Sequence, residues 1–378
     1  MTRASVRVAV ADGRHAVGRF LRVPWSIYAD DSAWVPPLLF EQRRRLSSRH
    51  PYFEHARTRL WVAWRGPATV GRISAQIDRL HLERYRDDTG FFGMLEAEDD
   101  AGTFGALLGA AEAWLEEHGI RRVRGPFNLS INQECGLLVD GFDSPPAVMM
   151  PHGRPYYAAR LEQHGYVAAK DLLAYRLAGD VKLPDVARGL LARAAGGIAV
   201  RSLRRSRFRE DVDILRDVFE DAWATNWGFV PFTEREFAHL AGALRRLVPD
   251  EFIGIAEIEG TPAGMIVLLP DVNQITRDLD GRLLPLGWLK LLWRLRAGQV
   301  RQGRVVLMGV RARYHHSPLG LALALTLIDA VRQAALRRGM TEVELSWILE
   351  DNAGVLRLIR ALGATPHKRY RIYEKSLG

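Results

Sequence analysis

The hydrophobic pattern changes period most clearly between residues 304 and 375. Residues 305–310 are a short apolar run, followed by a polar turn holding Gly320 and a helical pattern over about 321–338. After Gly339, residues 343–348 predict a second strand. Asn352 then opens a helix reaching Leu362, and a closing strand follows Gly363 at about 370–374. Two strands joined by a helix of this length predict a parallel, right-handed βαβ unit. Its strand–turn–helix junction offers amides and a helix N-terminus, which bind phosphate well.

The rest of the chain reads in the same way. Residues 6–10 predict a strand and 18–28 a helix, while Trp34 and two prolines make 30–39 a rigid loop. Runs at 60–64 and 69–77 flank Arg65-Gly66-Pro67 as a hairpin. A strand at 91–95, a helix at 104–118 and a strand from Val123 follow, then a polar loop over 124–146, a short helix at 155–163 and a strand at 172–177. Beyond a connector at 178–197 the order recurs: a strand at 198–203, helices at 211–223 and 234–248, a hairpin at 252–258 and 263–269, and the βαβ unit. Repeated order predicts two tandem halves, 1–177 and 198–378, the second with an extra segment over 273–301. Each is expected to be α/β (α+β), a mixed twisted sheet, parallel at its centre and flanked by helices.

Composition adds limits. The 378 residues suit two domains, and 48% hydrophobic with 26% charged residues is the balance of a soluble globular protein. Cys135 is the only cysteine, so an intrachain disulfide and a cysteine metal cluster are excluded, which fits a reducing cytoplasm. The N-terminus has no apolar run of signal-peptide length, and the apolar stretch 283–295 is too short to span a bilayer and is interrupted by Lys290 and Arg294. Net charge is +9, with basic clusters at 43–45, 201–209 and 290–304. These read as a solvated face, or as attraction for the phosphates of a ligand or for an anionic membrane at its inner face. Nucleic acid is not expected, because no zinc finger, RNP pattern or basic helix–turn–helix accompanies the charge. No histidine pair has metal-ligand spacing on one helix, and no serine elbow or Walker pattern occurs.

Val310, Ala312, His315, Pro318 and Gly320 stand at the positions of V-x-P-x-x-[QR]-x-x-G-x-[GA], with Ala312 for the proline, His315 for the arginine and Pro318 for the first glycine. A second register through Ser317, Gly320 and Ala322 also fits. Asn352, Val355 and Gly363 follow N-x-x-A-x-x-x-Y-x-x-x-G-F, with Ile359 at the tyrosine and Ala364 at the phenylalanine. This layout resembles the GNAT superfamily of acyl-CoA N-acyltransferases, and the chain is read as two GNAT-like domains in tandem. The corresponding place in the first half holds Glu98-Asp99-Asp100, which would repel a pyrophosphate, so the second half is the expected acyl-CoA site. Over residues 15–375, stretches such as DDSAWVPPLL, VGRISAQID, GPFNLSINQECGLLVDGFDSPP and ELSWILEDN are similar to tandem GNAT proteins that include bacterial ceramide synthases, which join a fatty acyl-CoA to a sphingoid amine.

The resemblance implies acyl-CoA as a co-substrate, with no permanently bound cofactor, and an amine acceptor. Met308, Val310, His315, His316, Ser317, Gly320, Leu321 and Asn352 are the expected CoA contacts, Asn352 holding either CoA or the helix start. Glu134, Glu350 and Tyr373 are the candidates for proton transfer, and Asn128, Asn132, Asn226, Trp227 and Asn273 for the acceptor. Each has a plain alternative: Tyr373 closes the sheet, Glu350 solvates a turn, and the aromatic loop at 223–232 is core. If the segment is extended, the alternation of Asn128, Ser130, Asn132 and Glu134 points all four to one face, an edge facing water or a row lining substrate. A long-chain lipid amine is the favoured acceptor; a small polar amine, or an inactive tandem binding module, is the alternative.

Overall fold

The computed structural model describes residues 5–181, 184–194, 197–245 and 247–378. The chain opens with β1 (Val6–Val10) and α1 (Gly13–Ile27), which starts earlier than its periodicity suggests because Asp12 caps it, accepting from Gly13 N at 2.7 Å. Then come α2 (Leu39–Arg45), the hairpin β2 (Ala56–Arg65) and β3 (Ala68–Asp78), α3 (Arg79–Tyr85), β4 (Thr89–Ala97), α4 (Ala101–Glu117) and β5 (Arg122–Gly125). The stretch expected as a polar loop holds three short strands, β6 (Phe127–Asn128), β7 (Glu134–Cys135) and β8 (Leu137–Asp140). Its buried Phe127, Cys135, Leu137 and Leu138 draw it inward. Next are α5 (Tyr157–Gln163) and β9 (Val167–Ala178), and the expected connector contains α6 (Asp185–Ala194). Residues 182–183 and 195–196 of that connector lie outside the described residues.

The remaining elements are β10 (Ala199–Ser202), α7 (Phe208–Trp223), α8 (Glu234–Leu244), β11 (Ile253–Ile258), β12 (Thr261–Pro270), α9 (Asn273–Thr276), α10 (Gly287–Arg296), β13 (Gln302–Val310), α11 (Pro318–Arg337), β14 (Glu342–Leu349), α12 (Ala353–Ala361) and β15 (Thr365–Ser376).

The chain divides into two compact units: unit 1 is Met1–Leu172, Thr276–Gly287 and Lys368–Gly378, and unit 2 is Leu173–Ile275 and Trp288–His367. In unit 1 the strand order is β1-β2-β3-β4-β5-β15, with β4 and β5 parallel and β15 antiparallel to both β5 and β8. Phe20, Ile73, Phe92, Leu107 and Tyr373 are fully buried in its core. The residues from Lys368 on, read from the sequence as closing the second half, belong to unit 1. There Arg371 pairs with Asp171 at 2.7 Å, Arg124 with Glu374 at 2.9 Å and Lys375 with Glu112 at 2.8 Å.

In unit 2 the order is β14-β13-β12-β11-β10, with β13 and β14 parallel as expected and the other neighbours antiparallel. Among the described residues α11 is the one helix with the length and apolarity to cross a membrane. It packs instead against β11, β12 and β13, with Leu323 and Leu327 fully buried, and so is a core helix.

Candidate functional site

The centre of unit 2 is a parting of strands. β13 and β14 pair from Gln302↔Glu342 to Val305↔Leu345, and there the ladder ends. β13 continues to Val310, still paired on its other side with β12, while β14 runs on to Leu349. Beyond Val305 and Leu345 the ladder is interrupted, and this gap in the pairing leaves peptide groups on the facing edges without ladder partners across it. A buried polar chain ties the strands together where they part. Arg304, 4% exposed, donates from Nε to Ser346 Oγ at 2.8 Å and from Nη2 to the Ser346 carbonyl at 3.2 Å. Ser346 Oγ in turn donates to Glu344 Oε1 at 2.6 Å. In low dielectric such a chain is strong when satisfied, so the parting point is firmly set.

The C-terminal end of α7 reaches this gap. Trp223 Nε1 donates to the Met308 carbonyl at 3.2 Å, and the Trp223 and Trp347 rings meet edge to face with centroids 5.9 Å apart. Gly309 permits the approach, since a Cβ there would sit 2.9 Å from Ala222 Cβ. A cross-strand row, Ile253, Val267 and Leu307, forms the floor of an apolar pocket roofed by Phe208 and Leu215 of α7 and Leu240 of α8. Leu307, the last of that row, lies on the part of β13 beyond its pairing with β14.

Beyond β13 the chain makes a closed turn. Ala312 N donates to Asp221 Oδ2 at 2.7 Å, Arg311 pairs with Asp217, and His315 Nε2 lies 2.7 Å from the Val310 carbonyl, to which it donates. His316 is exposed with φ +56°. Ser317 caps α11, accepting from Gly320 N at 3.0 Å and donating to the Tyr314 carbonyl at 2.7 Å. Gly320 is demanded by packing: any Cβ would stand 2.1 Å from the Tyr314 oxygen. Pro318, which departs from the family pattern, occupies the first helical position, where its missing N–H costs no helical hydrogen bond. Leu319 and Leu321 are 42% and 40% exposed, so the first turn of α11 faces solvent, with Arg313 exposed beside it. An open helix N-terminus with a guanidinium nearby suits a pyrophosphate.

Asn352 is the N-cap of α12, its Oδ1 accepting from Val355 N at 3.2 Å, and Glu350 is exposed just ahead of it. Ile359, at the tyrosine of the family pattern, is buried against Leu325 and Leu356, so that position faces the core of unit 2. Asn226 shapes the loop after α7: its N–H donates to the Trp223 carbonyl at 2.9 Å and its own carbonyl accepts from Phe229 N at 3.1 Å. Trp227 is half-buried in that loop. Phe229 and Phe232 pack on Phe219, which makes them core. Asn273 opens α9, its N–H donating to Asp271 Oδ1 at 3.2 Å.

The other candidates lie in unit 1. The alternation expected over 128–134 does not extend through it. Leu129 takes φ +84°, its carbonyl held by Tyr52 Oη at 2.9 Å, and the chain turns so that Asn128 and Glu134 face each other across the β6–β7 pair. Asn128 Nδ2 donates to Glu134 Oε2 at 2.9 Å and Arg45 Nη1 to Oε1 at 3.0 Å. Burial alone would raise the Glu134 carboxyl, but Arg45 and Asn128 outweigh it and hold the group below its ordinary range. Asn132 is half-buried in the turn. Tyr373 is fully buried; burial, with the acceptor Glu162 at 2.9 Å, pushes its hydroxyl up to about 12.

Unit 1 also shows why its own parallel pair is closed. β4 and β5 part after Phe91↔Arg124, but the space is filled by β6. Asn128 Oδ1 accepts from Met94 N at 2.7 Å, and a Cβ on Gly93 would lie 1.8 Å from the Phe127 oxygen. The Glu98–Asp100 turn is occupied by its own cation, Arg65, at 2.7 and 2.9 Å. Sequence reasoning overlooked Trp347, Arg304 and Glu344. It also overlooked Glu96 of unit 1, whose carboxylate accepts from Tyr28 Oη at 2.6 Å and Tyr157 Oη at 2.8 Å and is raised chiefly by burial. Polar residues at alternate positions of an apolar strand, such as Glu344 and Ser346, were the available signal.

No family model matches the chain. It is 49% identical over 359 residues to Protein YghO of Escherichia coli (strain K12), covering 95% of this chain and 92% of that one. It is 41% identical over 379 residues to the bacterial ceramide synthase of Caulobacter vibrioides (strain NA1000 / CB15N), covering 100% and 99%. Among solved structures, a tandem GNAT protein from the clavulanic acid biosynthesis pathway superposes with a TM-score of 0.57 at 14% identity, over 99% of both chains. The full-length kinship and the shared fold agree with the strand–turn–helix layout of unit 2, and the chain belongs to the family of tandem GNAT acyltransferases that includes the bacterial ceramide synthase of Caulobacter vibrioides.

Proposed function

We propose that the protein transfers a long acyl chain from CoA to the amine of a lipid of the sphingoid-base type, at a site centred on the gap between β13 and β14. The observation that carries this reading is the gap itself, flanked by the exposed N-terminus of α11, in a chain 41% identical to a ceramide synthase. The acyl-CoA pyrophosphate would lie on the turn from Val310 to Leu321, and the thioester between the parted strands. The neutral amine attacks the thioester carbonyl; the C–N bond forms, the C–S bond breaks, and the proton lost by nitrogen leaves with the CoA thiol or to solvent. Peptide groups facing the gap, at Met308 and Val310, would polarise the carbonyl, and positioning supplies most of the acceleration.

Two features support a lipid substrate. The row Ile253–Val267–Leu307 runs from the gap into an apolar pocket suited to an alkyl chain. The +9 net charge would favour an anionic membrane face, where a lipid acceptor would be met from the cytoplasm on this reading. With Ile359 buried, no tyrosine stands at the family position, so Glu350, exposed ahead of Asn352, is the carboxylate of unit 2 best placed by chain order to relay the amine proton. The division into repeats 1–177 and 198–378, joined at 178–197, is part of the same reading.

The test is calorimetric titration with acetyl-CoA and palmitoyl-CoA, followed by thiol release with sphinganine or with a small polar amine. Tighter binding of palmitoyl-CoA and turnover with sphinganine are expected. Preference for acetyl-CoA and the small amine would replace the lipid reading with that of a small-amine N-acetyltransferase, and binding of neither thioester would leave a tandem binding module.

A further inference from the structure

Helix α10 is built the wrong way round for a helix on a protein surface. None of its residues is fully buried, and its largest apolar side chains point outward: Trp288, Leu289, Leu292 and Trp293 are 44%, 47%, 39% and 62% exposed. At the angular spacing of an α-helix these four fall within an arc of about 140°. Leu291, Arg294 and Leu295 are only partly exposed, and Arg294 Nη1 donates to the Ile275 carbonyl at 2.7 Å, which anchors that side to unit 2. Just ahead in the chain, Leu284 and Leu286 are 79% and 66% exposed. Single exposed leucines need no explanation, but six large apolar side chains within residues 284–293 do.

The chemistry of the segment points to what covers it. The sequence GWLKLLWRLR contains three basic residues and no acidic one, and Lys290 and Arg296 are exposed alongside the tryptophans. Ten residues cannot span a bilayer but can lie along one. Tryptophan rings favour the headgroup level, and lysine and arginine reach from an apolar face to anionic headgroups. A flat amphipathic helix with this composition is the design of an interfacial anchor. We propose that α10 docks the protein on the surface of an anionic lipid bilayer, with Trp288, Leu289, Leu292 and Trp293 immersed and Lys290 and Arg296 on the headgroups.

The experiment is co-flotation of the full chain with vesicles of phosphatidylcholine alone or mixed with phosphatidylglycerol, at low and high salt. The protein should float with the mixed vesicles and detach as salt rises. Lys290→Gln and Arg296→Gln should each weaken binding about fivefold, and Trp288→Ala/Trp293→Ala should abolish it. Trp293→Ala alone, at the most exposed of the four, should weaken binding and still melt with the wild-type protein. Absence from the mixed vesicles, or unchanged binding by the double tryptophan variant, overturns the proposal. So does a wild-type oligomer that this variant converts to monomer, since a second copy would then cover the face. Vesicle binding is read without turnover, so its failure is separate from failure of the proposed reaction.

Discussion

Trp223 and Trp347 touch edge to face at 5.9 Å, one at the end of α7 and the other on β14 beyond its last pair with β13. Trp223 also donates to the carbonyl of Met308, which lies on β13 beyond its last pair with β14. The aromatic pair therefore braces one side of the gap proposed above to hold the thioester. Trp347→Ala should lower kcat/KM for acyl transfer about tenfold and reduce stability by about 1 kcal/mol. Steady-state kinetics and urea unfolding check both, and a variant as active as the wild type would remove the pair from the site.

Gly320 offers a sharper contrast. A methyl group there meets the Tyr314 carbonyl at 2.1 Å, whereas one at Gly354, at the start of α12, finds its nearest neighbour at 3.9 Å. Gly320→Ala should force the turn open and raise the Kd for CoA more than about tenfold, the effect of losing about 1.4 kcal/mol. Gly354→Ala should leave binding alone and add up to about 1 kcal/mol of stability through helix propensity. Calorimetric titration and thermal melting of both variants decide the matter.

Glu134 holds a turn in this structure, with both oxygens engaged by Arg45 and Asn128 and its proton affinity lowered. A carboxylate so satisfied is a poor base. Glu134→Gln should destabilise the protein by about 1–3 kcal/mol and leave the pH profile of kcat unmoved. Loss of the acidic limb of that profile would return Glu134 to the chemistry.

Two buried histidines set an acid limit on stability. His81, beside Asp87, and His152, beside Asp31, are both lowered from 6.5, chiefly because burial disfavours the charged ring. Below about 6.5 the unfolded chain takes up protons that the folded chain refuses, so stability falls with pH down to the folded values and rises again on return to neutrality. Urea midpoints between pH 7 and pH 5 should decline, and His81→Phe, stacked on Tyr85 with its ring centroid 4.6 Å away in the native protein, should flatten part of that decline.

The fold was legible where periodicity is local. The βαβ unit of 302–349, the two hairpins and the Asn352 cap all follow from runs of apolar residues and turn glycines. Over 127–140 the pattern misled, because four alternating polar residues suggested one strand face. The positive φ of Leu129 and the grip of Tyr52 on its carbonyl depend on a residue far away in the chain. The turn that holds Gly320 was also readable, although the group that closes it is Ser317 rather than a further glycine. Arg304 could not be placed: in the sequence it is one arginine among many, and its burial against Ser346 becomes visible only once the two strands are paired.

The part of β15 that completes unit 1 begins at Lys368, beyond every residue of unit 2. During synthesis the sheet of unit 1 must wait, one place unfilled, while all of unit 2 is made. Arg124 and Glu112 remain without Glu374 and Lys375, and the cavity for Tyr373 stays open, until those residues clear the ribosome. The nascent amino-terminal portion is therefore dependent on the far end of the same chain, and a messenger cut short anywhere before that strand yields a product whose early half is left unfinished as well as its late one.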